Sequence, residues 1–136
     1  FGFAPSLKWN AKDNLNFDYS MDAFLSGVSL NNEPTGTYIP LINHQLYTFI
    51  GVSEKMGFTF NLQHFYNKAP NTSVSNLLFA DVGLQYAFKS ITINLDWSNI
   101  FNQKQQVTSS YSTINSTTRV DKLRPSEVLI SFRFKR

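Results

Sequence analysis

The sequence predicts an all-β protein: an antiparallel up-and-down transmembrane β-barrel portion of about seven strands, belonging to a larger barrel. Three observations predict it. Large apolar and polar residues alternate with a period of two. Short charged turns alternate along the chain with longer connections rich in Asn, Ser and Thr. Aromatic residues, 15% of the chain, gather on the apolar side of the alternation.

The composition narrows the function classes. The chain has 136 residues, enough for one domain. Charged residues are 15%, against roughly 25% in an ordinary soluble domain. The net charge of +3 comes from scattered basic residues and is too diffuse for a nucleic-acid binder. With no cysteine, disulfide scaffolds, thiol catalysis and Cys-based zinc sites are excluded. The longest apolar run, Leu77–Ala80, is far too short for a transmembrane helix.

The strands are expected near 1–10, 14–28, 38–53, 57–68, 76–88, 91–101 and 120–135. The clearest is Ile91-Thr-Ile-Asn-Leu-Asp-Trp-Ser98, where every odd position is large and apolar and every even one polar. Before it, Leu78, Ala80, Val82, Leu84, Tyr86 and Phe88 share one face. Leu15, Phe17, Tyr19, Met21 and Ala23 do the same nearer the N-terminus, as do Phe58, Phe60, Leu62, His64 and Tyr66 in the middle. The segment Leu46–Val52 is apolar on both parities, and its faces stay open. Ala11–Asp13, Ser53–Lys55 and Lys89-Ser90 are the tight turns. Asn31–Thr37, Ala69–Ser75 and Asn102–Arg119 are the expected long loops.

Alternation alone fits a soluble sandwich as well as a barrel. The aromatic girdle, the uncharged polar face and strands of about 10–15 residues favour a barrel wall over globular strands of about 5–6. Leu84, Tyr86, Phe88, Ile91, Ile93, Leu95 and Trp97 are then lipid-facing. Asp81, Gln85, Thr92, Asn94, Asp96 and Arg133 are lumen-facing. Counting back from a last strand that ends on the periplasmic side puts every long loop outside. Single-chain bacterial barrels have an even number of strands, so residues 1–136 are expected to be one C-terminal barrel fragment, with earlier strands upstream of Phe1.

The last third carries a family likeness. Asn99-Ile-Phe-Asn102 at the end of the penultimate strand is similar to the "N-L-F-N" box of TonB-dependent outer-membrane receptors. Arg124-Pro125 and the closing strand Val128, Ile130, Phe132, Phe134 resemble the same family, especially its Bacteroidetes members. The motif residues are thus Asn99, Phe101, Asn102, Arg124 and Pro125. The family usually ends on Phe, whereas Lys135 and Arg136 follow Phe134 here. The resemblance implies the last seven of roughly 22 strands, without the plug or the TonB-binding segment. It implies a bacterial outer-membrane location and energy-coupled uptake of a small nutrient. Implied partners are outer-membrane lipid, the barrel-assembly machinery acting on the final strand, and TonB through the missing N-terminal part. No cofactor and no nucleic acid are implied. Alternatives are a small porin or adhesion barrel, and a soluble lipocalin-like ligand-binding β-domain.

Catalytic and metal chemistry are not expected. His64 lies on an apolar face with no His or acidic partner at ligand spacing along the chain, so it reads as an interfacial side chain. Asp18 and Asp22 share one lumen face and Asp81 and Asp96 another; such acids solvate the wall or pair with Lys8 or Arg133. No G-x-S-x-G or P-loop pattern occurs. The Gln/Ser/Thr-rich segment Gln103–Thr118 reads as a mobile hydrated loop open to ligand contact.

Overall fold

A computed structural model describes residues 1–11, 14–30, 33–68, 75–111 and 116–134. Among them there is no helix. The strands are β1 (Gly2–Phe3), β2 (Ser6–Asn10), β3 (Leu15–Leu30), β4 (Glu33–Ser53), β5 (Met56–Asn67), β6 (Ser75–Phe88), β7 (Ile91–Ser98), β8 (Gln105–Tyr111), β9 (Ser116–Lys122) and β10 (Glu127–Phe134). The main sheet runs β1-β3-β4-β5-β6-β7-β10, with β2 also on β3, and every pair is antiparallel. It is an up-and-down meander that does not close on itself. One edge is β1 with β2, and the other is β10.

The first expected strand is split at Ala4-Pro5. Proline has no N–H to give the ladder, but the Pro5 carbonyl still accepts from Met21 N at 3.0 Å. Its partner residues on β3 therefore continue in register from Phe3↔Ala23 to Ser6↔Ser20. The tight turns form at Glu54-Lys55 and Lys89-Ser90, with Lys89 left-handed at φ 47°. Lys12 and Asp13 lie outside the described residues.

The expected long loops need correction. β4 already begins at Glu33, and it pairs with β3 as far as Leu30↔Glu33 beyond a bulge between Gly27 and Ser29; Asn31 and Asn32 lie outside the described residues. The segment Gln103–Thr118 is no open loop: β8 and β9 make a separate two-stranded sheet, with Val107↔Val120, Thr108↔Arg119 and Ser110↔Thr117 opposed. Polar composition suggested a loop, but Val, Thr and Tyr favour strands. Pairing also satisfies the backbone N–H and C=O groups at no cost in burial. The last expected strand, 120–135, is two objects. Val120–Lys122 belong to β9, and β10 starts only at Glu127. The penultimate strand stops at Ser98 rather than at 101. Residues 69–74, most of the remaining loop, lie outside the described residues, as do Lys135 and Arg136.

The sheet has almost no core. Among the described residues, Ala80 is the one buried apolar side chain, at 3% exposure. Among the described residues no second layer packs over either broad face. A single layer of this length gains nothing from sheet-on-sheet burial.

Candidate functional site

Cross-strand partners in an antiparallel ladder share a face, so the register gives the two faces directly. One face carries, strand by strand, Leu7 and Trp9; Leu15, Phe17, Tyr19 and Met21; Ile42, Leu46 and Ile50; Phe58, Phe60 and Leu62; Val82, Leu84, Tyr86 and Phe88; Ile91, Ile93, Leu95 and Trp97; and Val128, Ile130, Phe132 and Phe134. All the residues expected to face lipid are on it together. The rows run across the sheet: Leu84, Leu95 and Ile130 stand side by side, as do Tyr86, Ile93 and Phe132. Those on β2, β7 and β10 are mostly exposed, Trp97 at 45% and Phe134 at 71%, while those on β3, β4 and β5 are mostly half-buried. The segment with undecided faces is now resolved. Leu46, Thr48 and Ile50 belong to the apolar face, and Tyr47 and Phe49 to the other.

The opposite face carries Asp81, Gln85, Thr92, Asn94, Asp96 and Arg133 as expected, beside Lys8, Asp18, Asp22, Gln45, Thr59 and Asn61. Lys8 Nζ meets Asp18 Oδ2 at 3.0 Å. Asn94 Nδ2 donates to Ser131 Oγ at 3.3 Å. Lys8, Asp18, Gln45, Tyr47 and Asn61 line an open polar cleft of about 310 Å³. Gly83 leaves a notch in this wall, flanked by Thr59 and Asp96, where a Cβ would strike the Thr59 hydroxyl. Toward the far end from the tight turns this face turns apolar, with Phe24 opposite Leu41 and Phe65 opposite Leu77. The side-chain oxygens of Asn43 and Asn67 are buried there without a hydrogen-bond partner.

The motif residues form a tied turn after β7. Asn99 and Asn102 are both left-handed, φ 50° and 51°, a conformation that Asn tolerates better than most residues. Asn99 is buried and uses its whole amide. Nδ2 donates to the carbonyls of Gln103 (2.9 Å) and Arg124 (2.7 Å), and Oδ1 accepts from Gln103 N (2.9 Å). Its own N–H donates to Asp81 Oδ1 at 2.8 Å. Asn102 Oδ1 accepts from Ser126 N at 3.2 Å, and Trp97 Nε1 donates to Ser126 Oγ at 2.9 Å. The two Asn residues thus clamp the segment around Arg124-Pro125 against the end of β7, which delivers the chain into β10. Arg124 takes part through its carbonyl, while its guanidinium stands exposed 3.6 Å from Glu127. Phe101 is exposed. Asp81, expected to solvate the wall or pair with Lys8 or Arg133, accepts from Asn99 N–H and from Asn61 Nδ2 (3.3 Å).

One feature was missed in the sequence. His44 and His64 are direct cross-strand partners on the apolar face, with rings stacked at 5.4 Å and 16°. Tyr19 Oη bonds His44 Nδ1 at 2.8 Å, and His64 Nε2 bonds Asn76 Oδ1 at 2.8 Å. A polar row thus crosses four adjacent strands, β3 to β6. Spacing along the chain shows no second His near His64, because it is blind to the neighbouring strand that brings His44 beside it. The two histidines are each ten residues from Glu54, at the hairpin turn, so the hairpin's symmetry contained the signal. Among the described residues no three His, Asp or Glu side chains gather at metal-binding distance.

No protein-family model matches the chain, and no curated protein or solved structure matches it either.

Proposed function

We propose that this chain is part of the wall of an outer-membrane β-barrel, the C-terminal portion of a TonB-dependent receptor that takes up a small nutrient. One observation carries the membrane part of the reading. A continuous, aromatic-rich apolar face spans the main sheet, half-buried on the central strands and exposed toward β2, β7 and β10, and among the described residues no second layer covers it. A soluble sandwich would cover that face with a second sheet; lipid covers it without one. The opposite face then lines a hydrated lumen.

The receptor assignment rests on the motif residues. Asn99, Asn102 and the segment around Arg124-Pro125 do one job together, turning the penultimate strand into the closing strand. In this reading the final strand Val128–Phe134 carries the assembly signal. The open edges at β2 and β10 require further strands to pair with them, because unpaired backbone is not tolerated in lipid. Nutrient contacts belong to the far end of the lumen face, around Phe24, Leu41, Phe65 and Leu77.

The test is a pair of substitutions on adjacent residues of β7. Leu95→Arg puts a charge on the lipid side, at a cost of roughly 2–4 kcal/mol near mid-bilayer, and should abolish outer-membrane assembly. Asn94→Arg points into the lumen and should assemble normally. Equal behaviour of the two variants would overturn the membrane reading.

A further inference from the structure

We propose that His44, His64 and Lys68, framed by Tyr19 and Asn76, form a docking site for the phosphate of a lipid headgroup at the rim of the apolar face. The inference rests on the membrane reading above.

Position comes first. His64 stands nine residues beyond Lys55 on β5. At about 3.3 Å per residue that is roughly 30 Å along the strand, and a tilt of about 40° reduces it to roughly 23 Å in height. The outward apolar band of such barrels is about 25 Å tall. The row therefore lies where the band gives way to headgroups. Beyond it on the same face comes Tyr66, an amphipathic ring suited to that boundary, and Lys68 follows just past the end of the strand. Lys68 is exposed, and its N–H is held by the Pro40 carbonyl at 3.3 Å.

Charge comes second. Of the acids on the main sheet, Asp18, Asp22, Asp81, Asp96 and Glu127 lie on the opposite face, and Glu33 stands eleven residues from His44 along β4, beyond the bulge. The ionisable groups of the row are Tyr19 from β3, His44 from β4 and His64 from β5; Asn76, from β6, is neutral. The row itself therefore carries no carboxylate.

The hydrogen bonds come third. A carbonyl oxygen only accepts, so the Asn76 oxygen accepts a hydrogen bond from His64 Nε2–H. Nδ1 of His64 is left facing away from that bond. His44 is held by Tyr19 through Nδ1, leaving its Nε2 edge free. Two stacked imidazolium rings repel each other. A phosphate bound across them removes that penalty, so phosphate binding and protonation strengthen each other by linkage.

The experiment uses the intact protein, extracted from membranes in non-ionic detergent, with bound lipid counted by native mass spectrometry. The probes are phosphatidic acid, phosphatidylcholine and free inorganic phosphate, each at pH 5.5 and at pH 8. Wild type should retain phosphatidic acid at least about fivefold better at the lower pH, with little competition from inorganic phosphate. His64→Gln, which keeps a hydrogen-bonding amide but cannot take the charge, should lose that pH dependence while assembling normally. His44→Ala/His64→Ala should retain phosphatidic acid no better than phosphatidylcholine. An unchanged pH response in His64→Gln, or no lipid preference in membrane-extracted wild type, would overturn the site alone. Equal competition by inorganic phosphate would overturn the lipid assignment. Recovery of wild type in the soluble fraction would overturn the membrane reading and the site with it.

Discussion

Asp81 accepts the backbone N–H of Asn99 at 2.8 Å, and this bond anchors the turn at the end of β7. Asp81 lies on β6 and points to the polar face, so it reaches the first residue that leaves the ladder. Asn99 then turns left-handed and its side chain fastens Gln103 and Arg124.

Asn99→Ala removes three side-chain hydrogen bonds and places a Cβ residue without local polar compensation in the left-handed region. Each bond is worth about 1 kcal/mol, and left-handed backbone costs roughly 1–2 kcal/mol for such a residue. Asn99→Gly loses the bonds but not the backbone preference. Urea unfolding should rank wild type above Gly above Ala, with Gly and Ala about 1 kcal/mol apart. Equal midpoints for Gly and Ala would show that the backbone term is absent.

Gly83 and Thr59 predict a rescue. Gly83→Ala drives a methyl into the Thr59 hydroxyl and to 3.0 Å from Asp96 Oδ1, so it should destabilise by about 1–3 kcal/mol. Thr59→Ala clears the Thr59 hydroxyl, and the double variant should recover about 1 kcal/mol of the loss. The check is a double-mutant cycle by denaturant unfolding. Simple additivity would mean that the wall accommodates the methyl by another route.

Gly57 and Phe49 predict a packing effect on the same face. The Phe49 ring lies over Gly57, 2.8 Å from where a Cβ would stand. An aromatic covering a strand glycine shields its backbone from water. Gly57→Val should therefore displace the ring and destabilise the β4–β5 hairpin, read as faster amide exchange at Phe49 and Gly57. Unchanged exchange would show that the ring contributes no protection.

Lys8 and Asp18 predict a small effect. Their side chains are 74% and 42% exposed, and exposed ion pairs contribute about 0–1 kcal/mol. Asp18→Asn should move the unfolding midpoint by less than that amount, and a larger loss would give this pair a structural weight that its exposure denies.

How much of this was readable in advance varied with the element. Ile91–Ser98 was legible because its two faces differ at every position. β4 was not, because Tyr47 and Phe49 match Leu46 and Ile50 in apolarity, and only its pairing with β3 and β5 decides the faces. The strand extensions at Glu33–Thr37 and in β8 and β9 were hidden by a polar composition that reads as loop, although their Thr and Val residues favour strands. The motif at Asn99 and Asn102 was visible as a pattern, but its role in clamping Arg124 to Ser126 needed the left-handed backbone. The histidine pair was readable only as a symmetry about Glu54, which no local window sees.

The most direct measurement uses the absence of cysteine. Single cysteines at Ile93, Asn94, Leu95 and Asp96, each carrying a fluorophore, are assembled in membranes containing spin-labelled lipid and read for quenching. The account predicts strong quenching at 93 and 95 and weak quenching at 94 and 96. Uniform quenching along the strand, or none at any position, would contradict a wall with one face in lipid.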